Sequence, residues 1–267
     1  EFLLDFGSFD SNHVSIVRED GCMDLYDGKL RAIDAQGNKI FDMVEPHEYA
    51  DYIGEEVRSW SYMKFPHIRS LGKEKGWYRV GPLARVNACD FIDTELAEKA
   101  RQEFLALNNG KPVNATMAYH WARLIELLHC AEKMKELLDD PDLQGTELVA
   151  EGKTREKGFA WLEAPRGTLF HHYEIDPETD QIKLANLIVS TTCNNEPMNR
   201  TVQIIADKHL KGKSESEITE GLLNHIEVGI RAYDPCLSCA THALGKMRLH
   251  VELVDAEGKL VDEKFRG

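Results

Sequence analysis

Nowhere in this 267-residue chain is there an apolar run of the ~18–20 residues that a helix needs to cross a bilayer, so a membrane-spanning helix is excluded. The opening Glu1-Phe2-Leu3-Leu4-Asp5 has no basic region ahead of an apolar one, so it is not expected to be a signal peptide. It also lacks an initiator Met, and the expectation is that the chain starts at the cut or processed end of a longer one. Positive charge is in short supply: 32 basic against 46 acidic side chains give −14. That balance argues against nucleic acid or an anionic membrane as partner and favours a cytoplasmic protein. Of six cysteines, Cys22, Cys89, Cys130 and Cys193 stand alone and only Cys236 and Cys239 are close together; a chain of this size with no secretion signal gains little from a disulfide framework. The four solitary ones read as small buried hydrophobes. Repeats, low-complexity tracts and convincing linkers are absent, and the length is enough for a real core. One α+β domain, predominantly helical with short antiparallel hairpins, is the economical expectation.

What is present is a sequence of short periodic pieces. Val14 to Ile16, Asp24 to Tyr26 and Leu30 to Ile33 read as strands, with Asp27-Gly28 a hairpin turn signal and Gly37-Asn38 a weaker one before Ile40-Phe41. Residues 46–93 are mixed and 77–85 have no regular period. A helix follows Thr94, with Leu96, Ala100, Phe104 and Leu107 on one face. A longer one runs from about Asn114 to Leu138, with Met117, Trp121, Leu124, Leu128, Ala131 and Leu138 as its stripe. Residues 167–189 read as a hairpin turning at 176–180. Two further helices are expected at about 198–211 and 215–231, the second opened by a Ser214-x-x-Glu217 capping box. Alternation from Met247 to Leu253, a turn at 255–258 and Leu260-Val261 suggest a final hairpin.

The most informative stretch is Asp234-Pro235-Cys236-Leu237-Ser238-Cys239-Ala240-Thr241-His242. Two thiols three positions apart can hold one metal, and Pro235 helps stop the preceding helix so that they sit on a loop. Taken alone, the pair is compatible with half a zinc site, a redox dithiol or coincidence. A second feature follows from register. If 167–189 is a hairpin, Arg166 and Thr191 lie at the same open end, where a cationic fork and a hydroxyl would converge on a small anionic ligand. A surface arginine and an ordinary strand-end threonine would look the same. His171 and His172, neighbours on a strand, face opposite ways, so at most one serves such a site.

The 234–242 stretch resembles the second cysteine motif of nickel–iron hydrogenase large subunits, Asp-Pro-Cys-x-x-Cys-x-x-His, at every fixed position. Ala164-Pro165-Arg166-Gly167-Thr168-Leu169-Phe170-His171 is similar to the family's Pro-Arg-Gly-x-Leu-x-His segment, and 189–200 to the segment lining its iron ligands. Residues 25–31 and 78–85 resemble the bidirectional, NAD-linked branch, so the likeness covers nearly the whole chain.

The resemblance implies a large-subunit-like fold for residues 1–242 and roles for particular residues. Cys236 would be a terminal nickel thiolate and the better proton acceptor, and Cys239 a thiolate bridging nickel and iron. Arg166 would hang over metals whose iron carries cyanide and carbon monoxide, donating to one cyanide while Thr191 binds the other. Pro165 would shape the pocket, Asp234 pair with the arginine and His242 bind a magnesium ion. The implied partners are the N-terminal half of the large subunit, an iron–sulfur small subunit, NAD-reducing diaphorase subunits and a maturation endopeptidase that removes residues 243–267. The family's other cysteine motif, Arg-x-Cys-Gly-x-Cys, does not occur here, so the chain is expected to be inactive alone, a fragment or one piece of a split subunit. A zinc-binding scaffold using Cys236, Cys239 and His242 is the alternative from another class. A relative of the respiratory-complex quinone-site subunit, which has lost the cysteines, is disfavoured by their presence.

Overall fold

The computed structural model describes residues 2–214, 217–236, 249–255 and 257–266. Its central strand, β1 (Asn12–Val17), pairs antiparallel with β2 (Lys29–Ile33), which pairs with β3 (Lys39–Val44). On its other edge β1 runs parallel to the short β6 (Tyr78–Arg79), for an order of β3-β2-β1-β6. Both faces of β1 are covered. Val14 and Ile16 enter an apolar core while His13 and Ser15, on the opposite face, are buried among polar partners.

Several expectations need correcting. Asp24 to Tyr26 is not a strand, because the Asp24 carboxylate accepts the amides of Tyr26 and Asp27 at 2.7 and 2.8 Å and closes a local turn. Asp27-Gly28 is not a tight hairpin turn either. Gly28 lies flat on β1, where a Cβ would stand 2.9 Å from the Val17 carbonyl oxygen. Within the mixed stretch lies an unanticipated hairpin, β4 (Ile53–Arg58) with β5 (Ser61–Ile68), which tolerates Pro66 because the sheet has only two strands. Strand β7 (Lys157–Ala164) was also not anticipated. It pairs with β8 (Gly167–Ile175), which in turn pairs with β9 (Ile182–Ile188), the hairpin expected from 167–189. The final hairpin, β10 (Leu249–Val254) with β11 (Leu260–Arg266), forms where its alternation suggests.

The first helices are single turns: α1 (Phe2–Asp5), α2 (Tyr49–Tyr52) and α3 (Gly72–Lys75). Helix α4 (Pro82–Ala88) starts on a proline at its first position and is buried throughout. Its terminal carbonyls are met by Arg101 of α5 (Glu95–Ala106), which donates to Val86, Cys89 and Asp90. Helix α6 (Ala118–Leu137) begins four residues later than its periodicity suggests, since the Asn114 carbonyl is taken by Arg79 at 2.7 Å. Its buried face is also rotated from the expected stripe. Ala118, Ala122, Ile125 and His129 face inward, whereas Leu124 and Leu138 are exposed. The small alanines allow α4 and α5 to approach closely. Likewise α5 buries Ala97, Arg101 and Phe104 and leaves Leu96 out.

After β9 come the one-turn α7 (Ser190–Cys193), α8 (Asn195–His209) and α9 (Glu220–Ala232). The Ser214–Glu217 bonds close a turn ahead of α9 rather than capping it, and Thr219 is the residue before the helix. Among the described residues two large apolar cores result, beside a small cluster of Phe6, Ile205 and Ile226. One lies between the sheets around Val14, Tyr78, Val80, Trp161, Phe170 and Ile188. The other lies among the helices around Leu83, Phe104, Tyr119, Ile125 and Tyr233. They meet where β6 turns through Gly81 into α4. Cys22, Cys89 and Cys193 are buried and Cys130 half-buried, as their isolation suggests.

Candidate metal centre

Helix α9 must stop where its chemistry begins. Asp234 adopts a left-handed conformation, φ 51°, its amide bonded to the Arg231 carbonyl at 3.1 Å, and Pro235 then denies the helix a further donor. The exit is anchored by Tyr233, which is buried, shares a 2.8 Å hydrogen bond with the Thr201 hydroxyl and donates to the Pro197 carbonyl at 3.2 Å. Arg123 of α6 caps the Ala232 carbonyl at 3.0 Å. The 234–236 segment therefore leaves from a rigid base.

Two side chains from distant parts of the chain meet that segment. Arg166 Nε donates to the Asp234 carbonyl at 2.6 Å, and its Nη2 stands 3.5 Å from the Asp234 carboxylate. The Thr191 hydroxyl accepts the Cys236 amide at 3.1 Å. The β8–β9 pairing carries Arg166 and Thr191 to the same end of the sheet, where they engage residues two apart in sequence. The Arg166–Asp234 ion pair is partly solvated, 28% and 44% exposed, so charge attraction alone stabilises it by under about 1 kcal/mol. The guanidinium is oriented chiefly by its bond to the carbonyl.

Arg166 sits at a hairpin tip. Ala164 pairs with Gly167, leaving Pro165 and Arg166 as the turn. Gly167 has φ +136°, and a Cβ there would fall 2.3 Å from Val80 Cγ2; a Cβ on Gly81 would fall 2.7 Å from the Arg166 carbonyl oxygen. The two glycines let the tip lie against the β6–α4 junction. Ser190 of α7 donates to the Gly167 carbonyl at 2.6 Å, Asn194 accepts the Val80 amide at 3.0 Å, and Tyr119 donates to the Val80 carbonyl at 2.9 Å.

Beneath the tip is a buried charge network that sequence reasoning missed. Arg85 of α4 bonds Glu126 of α6 through Nε and, at 2.7 Å, Nη2, and Glu163 of β7 through Nη1 at 2.7 Å. The same nitrogens donate to the Ala164 and Pro165 carbonyls at 2.9 and 3.0 Å. Burial opposes the Arg85 charge, but the two carboxylates outweigh it and hold the guanidinium protonated. Burial raises the Glu163 carboxyl above its ordinary value, with Arg85 and the Thr168 hydroxyl, at 2.6 Å, pulling it down. The available signal was Glu126, an acidic residue set into the apolar run from Leu124 to Leu128.

Cys236 is half-buried at the end of the described segment; Cys239 and His242 lie outside the described residues. Neither neighbouring histidine reaches the site. His171 contacts Tyr173 at 3.2 Å, and His172 stacks on Phe159 and contacts the Tyr49 hydroxyl at 3.1 Å. Cys193 is close in sequence to Thr191, but burial pushes its thiol up to about 12, which marks it as packing. Among the described residues no three His, Cys, Asp or Glu side chains gather as a ligand set. What the site offers is one soft thiol on a helix-terminating loop, flanked by a cationic fork and a hydroxyl. That set fits a thiolate-held metal with small anionic ligands, provided further thiolates come from beyond the described residues.

A family model described as nickel-dependent hydrogenase matches residues 5–242. Among curated proteins, the chain is 50% identical over 254 residues to the NAD-reducing hydrogenase HoxS subunit beta of Cupriavidus necator, covering 94% of this chain and 51% of that one. It is 42% identical to a chain of the vhc F420-non-reducing hydrogenase of Methanococcus voltae, covering 91% and 51%. Among solved structures, an NAD+-reducing NiFe-hydrogenase in the H2-reduced state superposes with a TM-score of 0.83 at 51% identity, over 90% of this chain and 52% of that chain. An NiFeSe-hydrogenase from Dm. baculatum, at 21% identity and TM-score 0.57, shares the fold over 90% of this chain and 53% of its own. The chain spans about half the length of the curated relatives it matches.

Proposed function

The chain belongs to the nickel-dependent hydrogenase family, and on that premise we propose that it supplies half of a nickel–iron centre for reversible hydrogen oxidation. The observation that carries the reading is the meeting of Arg166 and Thr191 on the Asp234–Cys236 segment. Cys236 and Cys239 would hold the metals as thiolates, and the remaining part of the large subunit would provide the other two. When bound, the centre supplies the heterolytic cleavage of hydrogen. Cys236 would help hold the centre as a thiolate, and its Sγ would take the proton released on cleavage. Arg166 spends donors on Asp234 and turns the rest of its fork toward a small anion, cyanide in this reading. The Thr191 hydroxyl accepts the Cys236 amide and so keeps its own proton to donate to a second cyanide. Carbon monoxide, which offers no comparable acceptor, would need no such donor from this chain. Pro165 fixes the tip, Asp234 aims the arginine and His242 holds magnesium.

The electrons pass to an iron–sulfur small subunit, then to NAD-reducing subunits, a route supported by the NAD-reducing relatives. An NAD-linked acceptor implies the cytoplasm. No helix among the described residues is long and apolar enough to cross a membrane. Residues 243–267 form a segment that an endopeptidase removes after His242; the family match, which stops at 242, supports this.

The test is to coexpress the chain with the N-terminal half that completes it, in the presence of the maturation machinery. Nickel, iron and infrared bands of cyanide and carbon monoxide are expected, lost on Cys239→Ala, in a protein whose mass ends at His242. One zinc per chain without those bands would replace this reading with a structural zinc site. A nickel-loaded protein retaining 243–267 would refute the cleavage.

A further inference from the structure

The Arg85 network is more elaborate than holding two helices and a strand together requires. Its Nε, Nη1 and Nη2 make five contacts in all, three to carboxylate oxygens and two to main-chain carbonyls. Those carbonyls belong to Ala164 and Pro165, the residues that lead directly into Arg166. We propose that Arg85 is a positioning residue, setting where the Arg166 guanidinium stands over the Asp234–Cys236 segment.

The geometry makes the coupling short. From the Pro165 carbonyl that Arg85 grips, one peptide bond leads to Arg166. The tip is held on its far side as well, where Ser190 donates to the Gly167 carbonyl and the Arg166 carbonyl lies close to Gly81. A planar fork suits this task, because each terminal nitrogen can reach a carboxylate on one side and a carbonyl on the other. A lysine carries the same charge but has three donors on one nitrogen and cannot span both carbonyls and both carboxylates. The carboxylates have a second effect. Glu126 and Glu163 more than offset the Arg85 charge in a buried setting, so that this guanidinium does not repel that of Arg166. Glu163 is itself fixed by the Thr168 hydroxyl and by the Ile16 amide at 3.1 Å, which ties the network to the central strand.

The inference rests on the reading of Arg166 given above, and the test separates the two. In the assembled complex of the full-length protein, hydrogen turnover per bound nickel, nickel content and thermal midpoint are compared for wild type, Arg85→Lys, Arg166→Ala and the double variant. Arg85→Lys is expected to keep its nickel and lose roughly 10²-fold in turnover, the scale of a misplacement of about 1 Å. The double variant should be no slower than Arg166→Ala, because the first change acts through the second. Infrared bands of the iron's diatomic ligands should shift in Arg85→Lys. Bands at wild-type positions with turnover per nickel within about twofold, or losses that multiply in the double variant, would overturn the positioning role. Wild-type turnover in Arg166→Ala would instead overturn the underlying reading. If Arg85→Lys yields no complex, Glu126→Gln serves. It leaves both carbonyl bonds intact and should give a smaller loss, also masked by Arg166→Ala; a loss that multiplies refutes the proposal.

Discussion

His13 offers a stability test that involves no metal. It sits on β1, fully buried, and its Nε2 lies 3.1 Å from Asn114 Oδ1. That oxygen also accepts the Ser11 amide at 3.2 Å, while Asn114 Nδ2 donates to Ala35 at 3.1 Å, so the amide orientation is fixed and His13 must donate through Nε2. Nδ1 is then a bare lone pair, buried without a hydrogen-bond partner among the described residues. Charging the ring would place a second cation beside Arg79, the β6 residue in register with it. Desolvation first, and then the Arg79 charge, lower the His13 pKa from 6.5 to about 3. The sign follows directly. Below about 6.5 the unfolded chain takes up a proton that the folded one refuses, so stability falls as pH drops from about 6.5 toward 3. Between pH 7 and 5 the imidazole alone should cost about 2 kcal/mol. His13→Gln keeps a donor for Asn114 and does not titrate. Denaturant unfolding of the full-length protein at both pH values should therefore show wild type losing about 2 kcal/mol more than the variant. An equal loss in both would refute the assignment of a neutral, buried imidazole, whatever the other histidines contribute.

Gly167→Ala combines a strained backbone, about 1–3 kcal/mol, with overpacking against Val80 of about the same size, for a total of roughly 2–6 kcal/mol. A midpoint of unfolding at the wild-type denaturant concentration would show that the tip has room to relax. Cys193→Ala should leave nickel content at the wild-type level, whereas Cys236→Ala should abolish it, as metal analysis of the matured complex would show. Nickel loss in Cys193→Ala would mean that a thiol pushed up to about 12 by burial is nonetheless drawn into the site.

Local chemistry was the most legible part of the sequence. The stop of α9 at Pro235, the turn at 176–180 and the final hairpin each depend on residues adjacent in sequence, and each forms where those residues place it. The 167–189 hairpin even carried a tertiary consequence, because fixed register puts Arg166 and Thr191 at one end. Helix faces were less legible. Helix α6 is apolar on more than one side, so its largest side chains mark a plausible stripe while the alanines that admit α4 and α5 mark the one actually buried. Periodicity weighs size and polarity, and close helix approach selects for smallness.

The Arg85 network shows the deeper reason that parts of a site escape such reading. Arg85, Glu126 and Glu163 come from α4, α6 and β7, and nothing in the sequence marks the three as partners. Only folding makes them partners, and only their burial makes the partnership consequential, since removing one of them strands a charge at a cost of about 3–5 kcal/mol. Cysteines and a proline declare a site because their covalent chemistry is special wherever they fall. An arginine or glutamate acquires its role from its neighbours. Motif resemblance therefore finds the atoms that touch the metal sooner than those that aim them. The latter are better sought among charges set into apolar periodicity, as Glu126 is between Ile125 and Leu127.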